Sequence, residues 1–135
     1  MARILLAEDD DNVREFVARA LRAGGHDVTP TEDGGLAAEA LQEHQGRFDL
    51  LLSDIRMPVM DGIALALATA SAWPNMTILL MTGFAEQRER AHGLETLVYD
   101  VIAKPFSLSD LMAKVEDALH QRPVEIVSLA RRDVA

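Results

Sequence analysis

The sequence predicts an α/β domain in which a parallel sheet is wound by helices on both faces. Three observations carry this. Short, unbroken apolar runs recur along the chain and each ends abruptly in polar residues. Segments with helical spacing fall between those runs. The whole chain has 135 residues, about half of them apolar, which suits one domain with a single core system.

The strongest runs are Ile4–Ala7, which meets Glu8-Asp9-Asp10, Leu50–Leu52, which meets Ser53-Asp54, and Thr77–Met81, which meets Thr82-Gly83. Continuous apolar runs of this length suit strands covered on both faces. Asp27–Pro30 and Tyr99–Ala103 are weaker strand candidates, the second closed by Lys104-Pro105. Between them, Val13, Phe16, Val17, Ala20 and Leu21 follow helical spacing, and Gly24-Gly25 supplies a stop. Ala37, Ala40 and Leu41 mark a second helix, and Glu86–Leu94 a more polar one. Leu108, Leu111, Met112, Val115 and Leu119 form the last, with Ser107 as its expected N-cap and Asp110 in the first turn. Gly62–Trp73 is ambiguous, because Ile63, Leu65 and Leu67 alternate with alanines as a strand would. Helix is the better reading, since alanine favours it and parallel strands need a long crossover. The order is then β-α five times over.

Residues 121–135 are expected to be a tail, partly ordered at best, after a domain over 1–120. Pro123 interrupts the last helical pattern, and apolar residues there mix with Arg131, Arg132 and Asp133. The formal net charge of −9 argues against binding nucleic acid, whose affinity rests on Lys and Arg. Cysteine is absent, which excludes disulfides and thiolate chemistry. No stretch reaches membrane-spanning length or resembles a signal peptide, so a cytoplasmic protein without a membrane partner is expected. The four histidines (His26, His44, His92, His120) lack ligand spacing and read as surface residues.

In an open parallel sheet, ligands bind beyond the carboxyl ends of the strands. Glu8, Asp9, Asp54, Thr82 and Lys104 all stand at such ends. Taken singly, each has a plainer reading. The acidic run could open a helix, Asp54 and Thr82 could be turn residues, and Lys104 could be solvated. Five polar residues on one sheet edge point to a site instead. Two carboxylates about 4 Å apart repel by roughly 4 kcal/mol at an effective dielectric near 20. Three need a proton, a lysine or a metal, and hard oxygen donors suit Mg²⁺. A carboxylate can also attack phosphorus, with an ammonium and a hydroxyl such as that of Thr82 stabilising the equatorial oxygens.

These residues resemble, in order and spacing, the receiver domains of response regulators, the CheY-like family. Ile4–Asp10 is similar to the first strand with its acidic pair, and Asp49–Gly62 to the phosphoacceptor strand and its loop. Thr82-Gly83 and Lys104-Pro105-Phe106 match the remaining elements. The resemblance implies a flavodoxin-like (βα)5 fold with strand order 2-1-3-4-5. It implies a switch protein rather than an enzyme: Asp54 as phosphoacceptor, and Mg²⁺ held by Glu8, Asp9, Asp54 and the backbone carbonyl of Arg56. Thr82 and Lys104 would contact the phosphoryl group, and the Lys104–Pro105 bond would be cis.

The implied donor is a histidine kinase or histidine phosphotransferase, and the output is protein contact around residues 86–119. Segments Met1–Asp10, Val13–Leu21, Phe48–Ala68 and Thr77–Ala91 are similar to single-domain cell-cycle members that resemble adaptors for the ClpXP protease, which implies ClpX as a partner. A chemotaxis-like regulator is the alternative within the family. One departure stands out: Val101 occupies a position where many receivers carry Tyr or Phe, so the usual aromatic switch is not expected in its familiar form. Two other classes fit less well. An aspartate-nucleophile phosphatase of the haloacid dehalogenase type needs a second aspartate where Arg56 stands. A flavodoxin-like cofactor binder needs a Gly-rich phosphate loop where Glu8–Asp11 stands.

Overall fold

Five parallel strands with flanking helices make up the computed structural model, which describes residues 1–83, 92–94 and 96–120. In chain order these are β1 (Arg3–Ala7), α1 (Asp11–Ala23), β2 (Asp27–Thr31), α2 (Gly34–Glu43), β3 (Leu50–Asp54), α3 (Gly62–Ala72), β4 (Thr77–Thr82) and β5 (Asp100–Ala103). A short 3-10 turn covers His92–Leu94, and a final helix spans 108–120. The helix expected over Glu86–Leu94 and the tail 121–135 fall outside the described residues, apart from that turn. No described helix is long and apolar enough to cross a membrane.

The sheet order is β2-β1-β3-β4-β5, as the resemblance implied, and every pairing is parallel. Alternate strand residues feed two cores, because side chains in a strand point to opposite faces. Leu5, Leu51, Ile78 and Leu80 pack with Leu41 of α2 and Leu65 of α3. Ile4, Leu6, Leu50, Leu52, Leu79 and Met81 pack on the other face with Val17 and Leu21 of α1 and with Leu111 and Val115 of the final helix. Apolar residues on both faces explain why the strands read as unbroken runs.

Local chemistry fixes the helix starts. Asp10, Asp33 and Asp61 cap α1, α2 and α3 by accepting bonds from backbone N–H groups of the first turn. Ser107 does the same for the final helix, accepting from Asp110 N at 3.0 Å. The ambiguous segment is indeed helical, and α3 is apolar nearly all round: Leu65 is fully buried while Leu67 is 46 % exposed.

The histidines are less uniform than the sequence suggested. His120 is exposed, but the His26 side chain is only 7 % exposed. It accepts from Ala2 N through Nδ1 at 3.2 Å and faces Glu116 through Nε2 at 2.8 Å. His44 is half-buried, packed edge-on against Phe48. The surface reading is therefore corrected for His26, because its partner lies 90 residues away in the chain.

Candidate functional site

Strand order reverses between β1 and β3, which leave the sheet centre with their crossovers on opposite faces. The crevice beyond their carboxyl ends is the place where such sheets bind ligands. Register aligns those ends: Ala7 pairs with Ser53, Asp54 with Met81, and Thr82 with Ala103. The residue that ends each strand, or follows it, therefore meets its counterparts at one edge.

Glu8, Asp9 and Asp54 converge there, with one carboxylate oxygen from each lying within 4.8 Å of the others. Glu8 is fully buried and Asp54 nearly so, whereas Asp9 is exposed. Lys104 reaches in from the end of β5 and places Nζ 2.6 Å from Glu8 Oε1 and 3.2 Å from Asp54 Oδ2. Its backbone N–H donates to the Thr82 carbonyl at 2.7 Å, which brings Thr82, itself buried, beside the cluster. The Lys104–Pro105 peptide is cis. The backbone N–H of Ile55 donates to Asp54 Oδ1 at 3.0 Å, and that of Asp10 to Glu8 Oε2 at 3.2 Å. Arg56 lies two residues beyond Asp54, exposed, in a loop closed where Gly62 N donates to Ile55 O at 2.7 Å.

The electrostatics follow from three carboxylates against one ammonium. Burial raises the affinity of Glu8 for its proton, and Asp54 adds to this while Lys104 opposes it. Asp9, though exposed, is raised by partial desolvation of its carboxylate where it faces the crevice and by the hydrogen bond and charge of Glu8. Burial also raises Asp54, again against the pull of Lys104. For Lys104, burial alone would lower the value, but the Glu8 hydrogen bond and the Asp54 and Glu8 charges outweigh it and raise it. All three acids thus resist full ionisation. A set of hard oxygen donors in that condition fits a small divalent cation.

The acidic run divides between the two readings open to it. Glu8 and Asp9 join the cluster, while Asp10 caps α1 and Asp11 sits in its first turn. Sequence reasoning missed Arg14, whose guanidinium donates to the Glu8 carbonyl at 2.9 Å and pairs with Asp11. Its spacing of three from Asp11 on a helix was the available signal. Beside the cluster, Val13, Phe16, Gly83, Lys104, Pro105 and Phe106 line a groove of about 500 Å³, with Phe16 half exposed.

Comparison with known proteins gives a consistent answer. The profile of the response regulator receiver domain family matches residues 4–116. The chain is 43 % identical over 119 residues to the response regulator receiver protein CpdR of Brucella abortus, covering 88 % of this chain and 98 % of that one. Among solved structures, a CheY-like receiver domain protein from Methanospirillum hungatei superposes with a TM-score of 0.84 at 26 % identity, over 93 % of this chain and 98 % of that one. TrrA from Thermotoga maritima, crystallised in complex with Mg²⁺ and BeF, does so at 0.75 and 28 % identity, over 87 % and 99 %.

Proposed function

The chain belongs to the response regulator receiver domain family, and from that premise we propose that it is a switch phosphorylated on Asp54 with Mg²⁺ held by Glu8, Asp9, Asp54 and the backbone carbonyl of Arg56. Receivers accept a phosphoryl group on an aspartate from histidine kinases or phosphotransfer proteins, bind Mg²⁺ in an acidic pocket, and are generally acceptors rather than enzymes. The observation that carries the residue assignment is the convergence of three carboxylates and Lys104 at the β1–β3 crevice.

The residues divide the work. The Asp54 carboxylate attacks phosphorus while the bond from phosphorus to the donor imidazole nitrogen breaks, leaving a mixed anhydride on Asp54. The Ile55 N–H fixes the carboxylate's orientation through Oδ1. Lys104 leaves Glu8 to face the incoming oxygens, and the Thr82 hydroxyl donates to one of them. When bound, Mg²⁺ supplies the positive charge that offsets the carboxylates and phosphoryl oxygens. The apolar groove with Phe16 at its rim fits the helix that presents a donor histidine. A direct test is phosphorylation by a small phosphodonor with Mg²⁺ or with chelator. Incorporation that needs Mg²⁺, and a weaker Mg²⁺ titration in Asp9→Asn, are expected. Equal labelling in chelator, or an unchanged titration, contradicts the assignment.

Output is assigned to protein contact, with ClpX of ClpXP as the partner and the chain as an adaptor whose phosphorylation sets its affinity. Identity to CpdR along nearly its whole length supports this reading over a chemotaxis-like one. Purified ClpX is expected to bind the unphosphorylated and beryllofluoride-treated forms with affinities at least about tenfold apart, or about 1.4 kcal/mol. Equal affinities, or none, contradict the adaptor role. A cytoplasmic location accords with both partners.

A further inference from the structure

Val59 stands in the left-handed region with a φ of 70°, where a β-branched side chain crowds its own backbone. The residue is 85 % exposed, so burial does not offset that strain. It lies over the start of α2: a Cβ added to Gly35 would come within 2.7 Å of Val59 Cγ1. Strained residues persist where the surroundings or a function demand them. The next residue on α2, Leu36, is also exposed. From Leu36 the same helix face continues through Glu39 and Glu43 along a groove of about 390 Å³, which Glu32 and Arg14 also line. The three glutamates are exposed, and none forms an ion pair with another described residue. Arg14 does not answer them, because its guanidinium is engaged by Asp11 and the Glu8 carbonyl.

We infer that Val59, Leu36 and the Glu32–Glu39–Glu43 groove form a docking surface for a partner-protein segment carrying an apolar residue flanked by Lys or Arg. The exposed Val59 and Leu36 supply the apolar contact, and the unanswered carboxylates select a basic segment and repel an acidic one. A second copy of this chain is disfavoured, since an isologous contact would press each set of glutamates against its like. The surface shares a loop with Arg56, so a bound segment touches the backbone that follows Asp54. The inference rests on the proposed reading only in taking output to be protein contact.

The test is an amide-resolved NMR titration of the full chain with two short synthetic peptides, one with a leucine flanked by lysines, the other with glutamates in place of the lysines. The lysine peptide is expected to shift residues 32–43 and 58–60, and the glutamate peptide to shift none. E39Q/E43Q weakens the lysine peptide at least about tenfold, while E15Q, on α1, leaves it unchanged. Val59→Asn suits the left-handed backbone and raises Tm, yet weakens the peptide. Shifts spread over the acidic surface or centred on Glu8 and Asp9, indifference to E39Q/E43Q, or full binding by Val59→Asn overturn the proposal. Shifts at this face that follow protein concentration alone assign it to a second copy and overturn it too. An Asp54→Asn protein that cannot be labelled but binds peptide normally tests the two readings apart, since docking does not require the phosphoryl group.

Discussion

Asp54, Glu8 and Asp9 each hold their protons more tightly in the folded chain than in the unfolded one. Between their unfolded values, near pH 4, and their raised folded values, the native state therefore binds more protons, and stability falls as pH rises through that window. Lys104 has the same slope, displaced to alkaline pH. Its raised value adds stability that is complete below its unfolded value and lost only as alkaline pH passes the folded one. Without Mg²⁺, Tm is expected to fall from mildly acid to neutral pH more steeply in wild type than in Asp54→Asn, which removes one of the competing charges. Parallel curves in a thermal melt series would count against the carboxylate cluster as the cause. Glu8, Asp9, Asp54, Thr82 and Lys104 were legible in the sequence because each directly ends or follows an apolar run. Arg14 and His26 were not, because their roles depend on contacts across the fold. The strain at Val59 was hidden too, since one backbone angle leaves no pattern.

At the scale of elements, side chains decide where each helix begins, and missing side chains decide how closely loops approach. Asp10→Ala is expected to cost about 1 kcal/mol by removing the α1 cap, read as a shift in urea midpoint with unchanged slope. Asp10 accepts from both Asn12 N and Val13 N, so a neutral outcome would contradict that account. Gly62 is a different kind of case. A Cβ there would stand 2.1 Å from the Asp54 carbonyl, so Gly62→Ala must push the loop off the end of β3. A loss of roughly 1–3 kcal/mol is expected, together with slower phosphorylation; full stability with normal labelling would refute it. The central strands were readable as unbroken apolar runs, whereas α3 was ambiguous for a physical reason. With Leu65 buried and Leu67 half exposed, its apolar residues mark no single face.

Over the whole molecule, the strand order sets β1 beside β3 in the interior of the sheet, so a core packs on each face of the strands that carry the cluster. The far end of the sheet is tied by His26. Because Nδ1 accepts from Ala2, the ring proton sits on Nε2 and is donated to Glu116 of the final helix. His26→Ala is expected to lower stability by about 1–3 kcal/mol, and hydrogen exchange should quicken along helix 108–120. Unchanged protection there would show that the bond holds nothing. The central claim, that this fold presents Asp54 for phosphorylation, is tested most directly by intact-protein mass after incubation with Mg²⁺ and acetyl phosphate. Wild type is predicted to gain the mass of one phosphoryl group and Asp54→Asn to gain none. Labelling that persists in Asp54→Asn would contradict the assignment outright.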